Sequence, residues 1–328
     1  MSRALLLLVV ALLAACGRDA APPRSAHDPA PAALAGPVTA LPRALPVDAA
    51  KVTLGARLFR DKRLSADDSV ACISCHDLDR GGADGLPTAR GIRGQAVPRN
   101  SPTVFNAALN FRQFWDGRAA TLADQAAGPI TSPVEMGSDW PALTAKLAAD
   151  PAYRHDFAAL YRDGVTPANV TDAIAEFERT LITPDSPFDR YLRGEEGALS
   201  AEAQRGWRLF RDRGCAACHQ GANVGGNLFQ TFGVLGNYFA DRGHDDTSDQ
   251  GRYNVTHEER DRHVFKVPGL RNVAATAPYF HDGSAATLPD AVRTMARYQL
   301  GIELAGEEVD AIVAFLGSLS GCYQGRCL

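Results

Sequence analysis

The 328-residue chain has no marked excess of charge of either sign. Its 34 lysines and arginines stand against 38 aspartates and glutamates. A net charge of −4 leaves no basic footprint, which argues against nucleic acid as a partner. Docking to another protein stays open, because it depends on local patches. The N-terminal apolar run, Ala4 to Ala15, falls well short of the ~20 residues that a spanning helix needs. Few segments alternate apolar and polar residues as half-buried strands do, which counts against a sheet-based fold. Histidine is absent between His76 and His155.

Seven cysteines are present, and each can be assigned. Four of them form Cys72-Ile73-Ser74-Cys75-His76 and Cys215-Ala216-Ala217-Cys218-His219, two copies of C-x-x-C-H. This is the attachment pattern of c-type haem. Two thiols add across the vinyl groups of one porphyrin, and the next histidine is thereby placed under the iron as proximal ligand. One zinc on four cysteines would leave both histidines a coincidence, and so would two thioredoxin-like redox pairs. Two covalently bound haem c groups are therefore expected. Cys322 and Cys327 remain, close together, and are expected to pair in an oxidising compartment, with two free thiols as the alternative.

The seventh cysteine sits in a targeting segment. Arg3 precedes the apolar run, which ends in Leu13-Ala14-Ala15-Cys16-Gly17 and resembles the lipobox of bacterial lipoproteins. Residues 1–15 then read as a signal peptide and Cys16 as the lipidation site. The alternative is secretory cleavage with loss of Cys16. Gly17 rather than aspartate after the cysteine favours the outer membrane under the lipoprotein rule. Residues 16–47 are rich in alanine and proline and read as a tether.

Beyond the tether the chain repeats itself. Gly55-Ala56-Arg57-Leu58-Phe59-Arg60-Asp61 precedes the first haem motif, and Gly206-Trp207-Arg208-Leu209-Phe210-Arg211-Asp212 precedes the second. The shared G-x-R-L-F-R-D implies two related domains, each with a helix leading into its haem site. Val170, Ile174, Phe177 and Leu181 give one apolar helix face; Val309, Ile312, Val313 and Leu316 give another. Thr287 followed by Pro289 and Asp290 is a helix-start signature, and Leu288, Val292 and Met295 share a face of the helix it opens. The expected fold is all-α, with two cytochrome c-like, loop-rich haem domains at 48–190 and 191–328. The boundary falls in 183–200, where Pro184, Pro187 and Gly194 interrupt the pattern.

Three stretches carry a family resemblance. They are Pro98 to Thr103 leading to Phe114-Trp115-Asp116-Gly117-Arg118-Ala119; Gln125 with Pro133-Val134-Glu135-Met136; and Phe265 to Asn272 followed by Ala277-Pro278-Tyr279-Phe280-His281-Asp282-Gly283. Together with the haem motifs, residues 48–320 resemble the bacterial di-haem cytochrome c peroxidases and their MauG-like relatives.

The resemblance implies a peroxidatic haem on Cys72, Cys75 and His76, and an electron-accepting haem on Cys215, Cys218 and His219. Met295 matches the distal ligand of the second haem, where a thioether favours ferrous iron. Trp115 corresponds to the tryptophan between the haems. Gln125 and Glu135 match the polar groups over the peroxidatic iron, Glu135 as the group that moves protons during peroxide cleavage. Asn100, Thr276 and Pro278 match an interdomain calcium site. His281 lies beside that site, where a propionate hydrogen bond is expected.

One departure stands out. Many members carry a histidine after the first haem motif that blocks the peroxidatic iron until reduction. Here Ile92 falls at that place, in Gly85 to Gln95. The first iron is then expected to be five-coordinate, as in MauG-like enzymes. Yet Met295 follows the peroxidase pattern, where MauG itself has tyrosine. The leading expectation is an enzyme that reduces hydrogen peroxide with electrons from a small periplasmic cytochrome c or cupredoxin. The alternatives are a MauG-like oxidase of a protein partner and a pure electron-transfer cytochrome. A periplasmic, lipid-anchored location follows from the N-terminus. A homodimer is compatible with the resemblance, and the sequence leaves the oligomeric state open.

Overall fold

The computed structural model describes residues 36–328. The expected signal peptide, Cys16 and the first part of the expected tether lie outside the described residues. The first half of the chain forms α1 (Ala49–Arg60), α2 (Cys72–Cys75), α3 (Leu122–Thr131), α4 (Trp140–Ala149), α5 (Pro151–Leu160) and α6 (Pro167–Arg179). The second half forms α7 (Pro187–Leu192), α8 (Ala201–Asp212), α9 (Tyr238–Arg242), α10 (Tyr253–Thr256), α11 (Leu288–Leu300) and α12 (Gly306–Gly317). Strands are short: β1 (Phe229–Thr231) pairs antiparallel with β2 (Val264–Lys266), and β3 (Cys322–Tyr323) with β4 (Arg326–Cys327). The architecture is helical and loop-rich. Among the described residues, no helix is long and apolar enough to cross a membrane.

Several helices start where the chain supplies an oxygen acceptor and then a proline. Asp150, Thr166 and Ser186 each cap a helix whose first residue is Pro151, Pro167 or Pro187. The cap oxygen takes an otherwise unpaired N–H, and the proline sits where no N–H is needed. Thr121 and Thr287 cap α3 and α11 in the same way, each accepting from the aspartate three residues on, Asp124 and Asp290.

The repeated motif has a packing reason. Gly55 in α1 meets Ala173 of α6, and Gly206 in α8 meets Ala311 of α12. At both places a Cβ would collide with the facing carbonyl, so only glycine lets the two helices cross so closely. Beside each contact lies one apolar core. The first holds Leu54, Leu58, Phe59, Ile174 and Phe177; the second holds Trp207, Phe210, Ile312 and Phe315. A second repeat is visible once the folds are compared. Phe114-Trp115-Asp116-Gly117 and Phe280-His281-Asp282-Gly283 both lead through Ala-Ala-Thr-Leu into α3 and α11. Phe114 and Phe280 share left-handed backbone (φ 67° and 73°), and Gly117 and Gly283 share φ 68°.

Phe188 of α7 packs in the second core, inside the 183–200 stretch where the boundary is expected. Part of the expected tether is folded: Val38 and Leu41 are buried, at 2% and 1% exposure. The Leu41 N–H donates to Asp189 (2.9 Å), and the Thr39 carbonyl accepts from Arg271 (3.1 Å). Two buried apolar side chains and these hydrogen bonds strap the stretch onto the second domain. In exchange, the C-terminal hairpin packs on the first core through Tyr323, whose ring lies 5.1 Å from that of Phe105. Cys322 and Cys327 close this hairpin as a disulfide.

Candidate haem sites

Each C-x-x-C-H motif makes one tight turn after its glycine-bearing helix. His76 and His219 are oriented alike: each Nδ1 lies 3.3 Å from a backbone carbonyl, Gly82 for the first and Val224 for the second. An Nδ1–H donated there fixes the ring and leaves Nε2 as the iron-facing lone pair. Burial lowers both imidazoles, His219 to about 4, so that each is neutral as a ligand must be. None of the four motif cysteines is in a disulfide, so all four sulfurs are available for thioether attachment. Burial pushes Cys72 up to about 12 and Cys75 and Cys215 up to about 11.

In the second domain these groups open onto a cavity of about 420 Å³. Cys215, Cys218, His219 and Met295 all line it, between apolar walls that include Phe210, Phe265, Val292, Ile312 and Leu316. Two thiols, an imidazole and a thioether in one apolar chamber are the donor set of a His–Met haem c. Met295 lies eight residues after the Thr287 cap of α11. The residue eight after the Thr121 cap of α3 is Pro129. A proline offers no ligand, so the duplicated position that supplies a thioether in the second domain supplies none in the first.

Glu135 stands just past α3 in a turn closed by the Glu135 N–H to Ser132 (3.1 Å) and the Gly137 N–H to Ser132 (2.8 Å). Its charge bears on the Cys75 thiol, which puts it near the first attachment site. Burial raises its carboxyl, partly offset by the Ser132 hydroxyl and by Arg118. Gln125 lies one helical turn ahead of Pro129, half-buried. The loop that lacks the histidine is docked on this turn. Ile92 is buried, and its N–H donates to the Glu135 carbonyl (2.8 Å). A Cβ on Gly91 would collide with the Val134 carbonyl.

Trp115 lies at the junction of the domains. Its Nε1–H donates to Asn100 (3.1 Å), its carbonyl accepts from Lys266 of β2 (2.8 Å), and its ring lines the second cavity. Asn100, Thr276 and Pro278 line that same cavity, and the Ala277–Pro278 bond is cis. The Asn100 Nδ2 is spent on Leu86 (2.9 Å). Its Oδ1 is left for another partner.

The Nε2 of His281 is held by Asp249 (2.8 Å). Arg242 joins both Asp249 and Asp282. Burial works to raise Asp249, but the Arg242 guanidinium, the Asp246 amide and His281 outweigh it and hold the carboxyl at about 2. Asp249, His281 and Asp282 have the spacing of a metal cluster, but the guanidinium already neutralises them. No sequence motif marked Asp249 or Arg242, which the fold brings to His281 from a distant loop and helix.

Family models match in two blocks: di-haem cytochrome c peroxidase over residues 49–197 and cytochrome c over residues 203–320. The chain is 52% identical to cytochrome c peroxidase Ccp of Escherichia coli, over 91% of this chain and 64% of that protein. It thus spans just under two thirds of the E. coli relative. It is 46% identical to cytochrome c551 peroxidase of Nitrosomonas europaea, over 87% of this chain and 84% of that one. Among solved structures, a MauG-like protein associated with microbial copper homeostasis superposes with a TM-score of 0.74 at 29% identity, covering 87% of this chain and 93% of its own. Two haem c sites on a duplicated helical frame, with relatives this similar over this length, place the chain in the di-haem cytochrome c peroxidase family of oxidoreductases.

Proposed function

We propose that the protein reduces hydrogen peroxide to water at the first haem, with two electrons arriving singly through the second from a small cytochrome c or cupredoxin. The observation that carries this is the asymmetry of the duplicated helices: Met295 in one, Pro129 in the other. Met295 would close the second haem for electron transfer, and Pro129 would leave the first open to a small ligand. The first haem supplies the iron that binds peroxide and exchanges electrons with it. The chain moves protons between the peroxide oxygens, and the two protons consumed in each turnover come from solvent. Glu135, its carboxyl raised by burial, takes a proton from one peroxide oxygen and returns it to the departing one. Gln125 orients the substrate by hydrogen bonding. Trp115, against the second cavity and bonded to Asn100, shortens the electron path. Two protons and two electrons per peroxide leave two waters.

The open first site and the carboxyl beside it disfavour a pure transfer cytochrome. Met295 favours a peroxidase over a MauG-like oxidase. Asn100, Thr276 and Pro278 are proposed to hold calcium through one amide oxygen and two backbone carbonyls. The disulfide Cys322–Cys327 fits an oxidising compartment, and with the lipobox-like stretch at Cys16 it supports a periplasmic protein anchored to the outer membrane. The decisive test is steady-state turnover of peroxide with several reduced donors. Two six-coordinate low-spin haems and no turnover with any donor would overturn the reading.

A further inference from the structure

Lys266 is a buried cation that the chemistry above does not use. It is 7% exposed and lines the cavity with His219 and Met295. Its backbone is fixed, since its N–H donates to the Trp115 carbonyl (2.8 Å) and it pairs with Phe229 across β1 and β2. Among the described residues no carboxylate reaches its ammonium, and burial alone acts on it, pushing it down to about 8. The other cationic lining residues are committed. Arg271 pairs with Asp189 (2.9 Å), and Arg213 pairs with Glu308. A buried cation without a partner is costly, and one facing a chamber calls for an anion from the occupant. Haem c brings two. Its thioether edge is fixed by Cys215 and Cys218, and its propionates project from the opposite edge.

We propose that the Lys266 ammonium forms an ion pair with a propionate of the second haem, on the wall it shares with Trp115, and raises that haem's reduction potential. A positive charge near the haem disfavours the more positive ferric state. The strand that holds Trp115 then also sets the charged edge of the second haem. This rests on the second haem occupying the cavity. It is independent of Met295 as ligand and of the peroxide chemistry.

The test is spectroelectrochemical titration of the holoenzyme carrying Lys266→Met or Lys266→Arg. In Lys266→Met the ferrous-to-ferric ratio of the second haem at a fixed potential should drop about tenfold, equivalent to about 59 mV for one electron. Lys266→Arg should stay near wild type, and the first haem should not move in either. The propionate bending band in resonance Raman should shift in the methionine variant alone. Two intact haems with an unchanged second potential in Lys266→Met would overturn the ion pair. If that variant does not retain its second haem, Lys266→Gln against Lys266→Arg makes the same comparison, and equal potentials overturn it. A lost His–Met near-infrared band would instead report on the axial ligand.

Discussion

Asn106 and Asn272 each donate an Nδ2–H to the same hydroxyl, Oγ1 of Thr183, at 2.8 and 2.9 Å. All three residues are fully buried. The two asparagines are equivalent in the duplication: the Thr183 N–H donates to Asn106 Oδ1 as the Gly321 N–H donates to Asn272 Oδ1, both at 3.0 Å. The two domains are thus tied through a single hydroxyl at the start of their connection. Thr183→Val keeps the shape and removes the acceptor, leaving two buried amides short of a partner at about 1–3 kcal/mol each. Denaturant unfolding should show a loss of roughly 2–6 kcal/mol, while Thr183→Ser stays near wild type. A neutral Thr183→Val would mean that the asparagines find other acceptors.

Haem stoichiometry checks the two attachment sites directly. Pyridine haemochrome should read two haems per chain, falling to one when Cys215 and Cys218 are both replaced by alanine. Two haems in that double variant would separate the motif from attachment.

Met295→His should lower the second haem's potential markedly, because imidazole favours ferric iron relative to a thioether. The near-infrared band of His–Met haem should vanish with it. An unchanged band and potential would assign the distal position to another residue.

Glu135→Gln should slow peroxide turnover by roughly 10²–10⁴-fold, the usual worth of a general acid–base group. Both haems should remain and both potentials should hold. The amide keeps the size and the Ser132 contact but cannot shuttle the proton. Wild-type turnover in this variant removes Glu135 from the mechanism.

Ile92 bears on activation. A reductively gated enzyme must first move a loop to free its iron. Here that position is a buried isoleucine, its N–H bonded to the Glu135 carbonyl, in a loop pinned by Gly91 against Val134. The fully oxidised protein should therefore react with peroxide at once, and its resting spectrum should already contain high-spin ferric haem. Stopped-flow mixing of oxidised and half-reduced enzyme with peroxide decides it. Reaction of the half-reduced form alone would show that the first haem is gated.

The sequence by itself determined whatever is local. The C-x-x-C-H spacing places two thiols and an imidazole on one turn, whatever surrounds it. The G-x-R-L-F-R-D repeat and the threonine and proline caps mark helices because capping is settled within a few residues. Tertiary structure decided the rest. Met295 on an apolar face reads equally as core or ligand until α11 is seen to share a cavity with His219. Val38 and Leu41 read as tether because two apolar residues carry no periodicity, and their burial depends on Asp189 and Arg271 far along the chain. Thr183 and Asp249 carry no motif at all, and the stretch Phe265 to Asn272 does not by itself show that Lys266 is buried without a partner. Their weight comes from being polar where water is excluded, and burial is a property of the whole packed chain rather than of any segment of it.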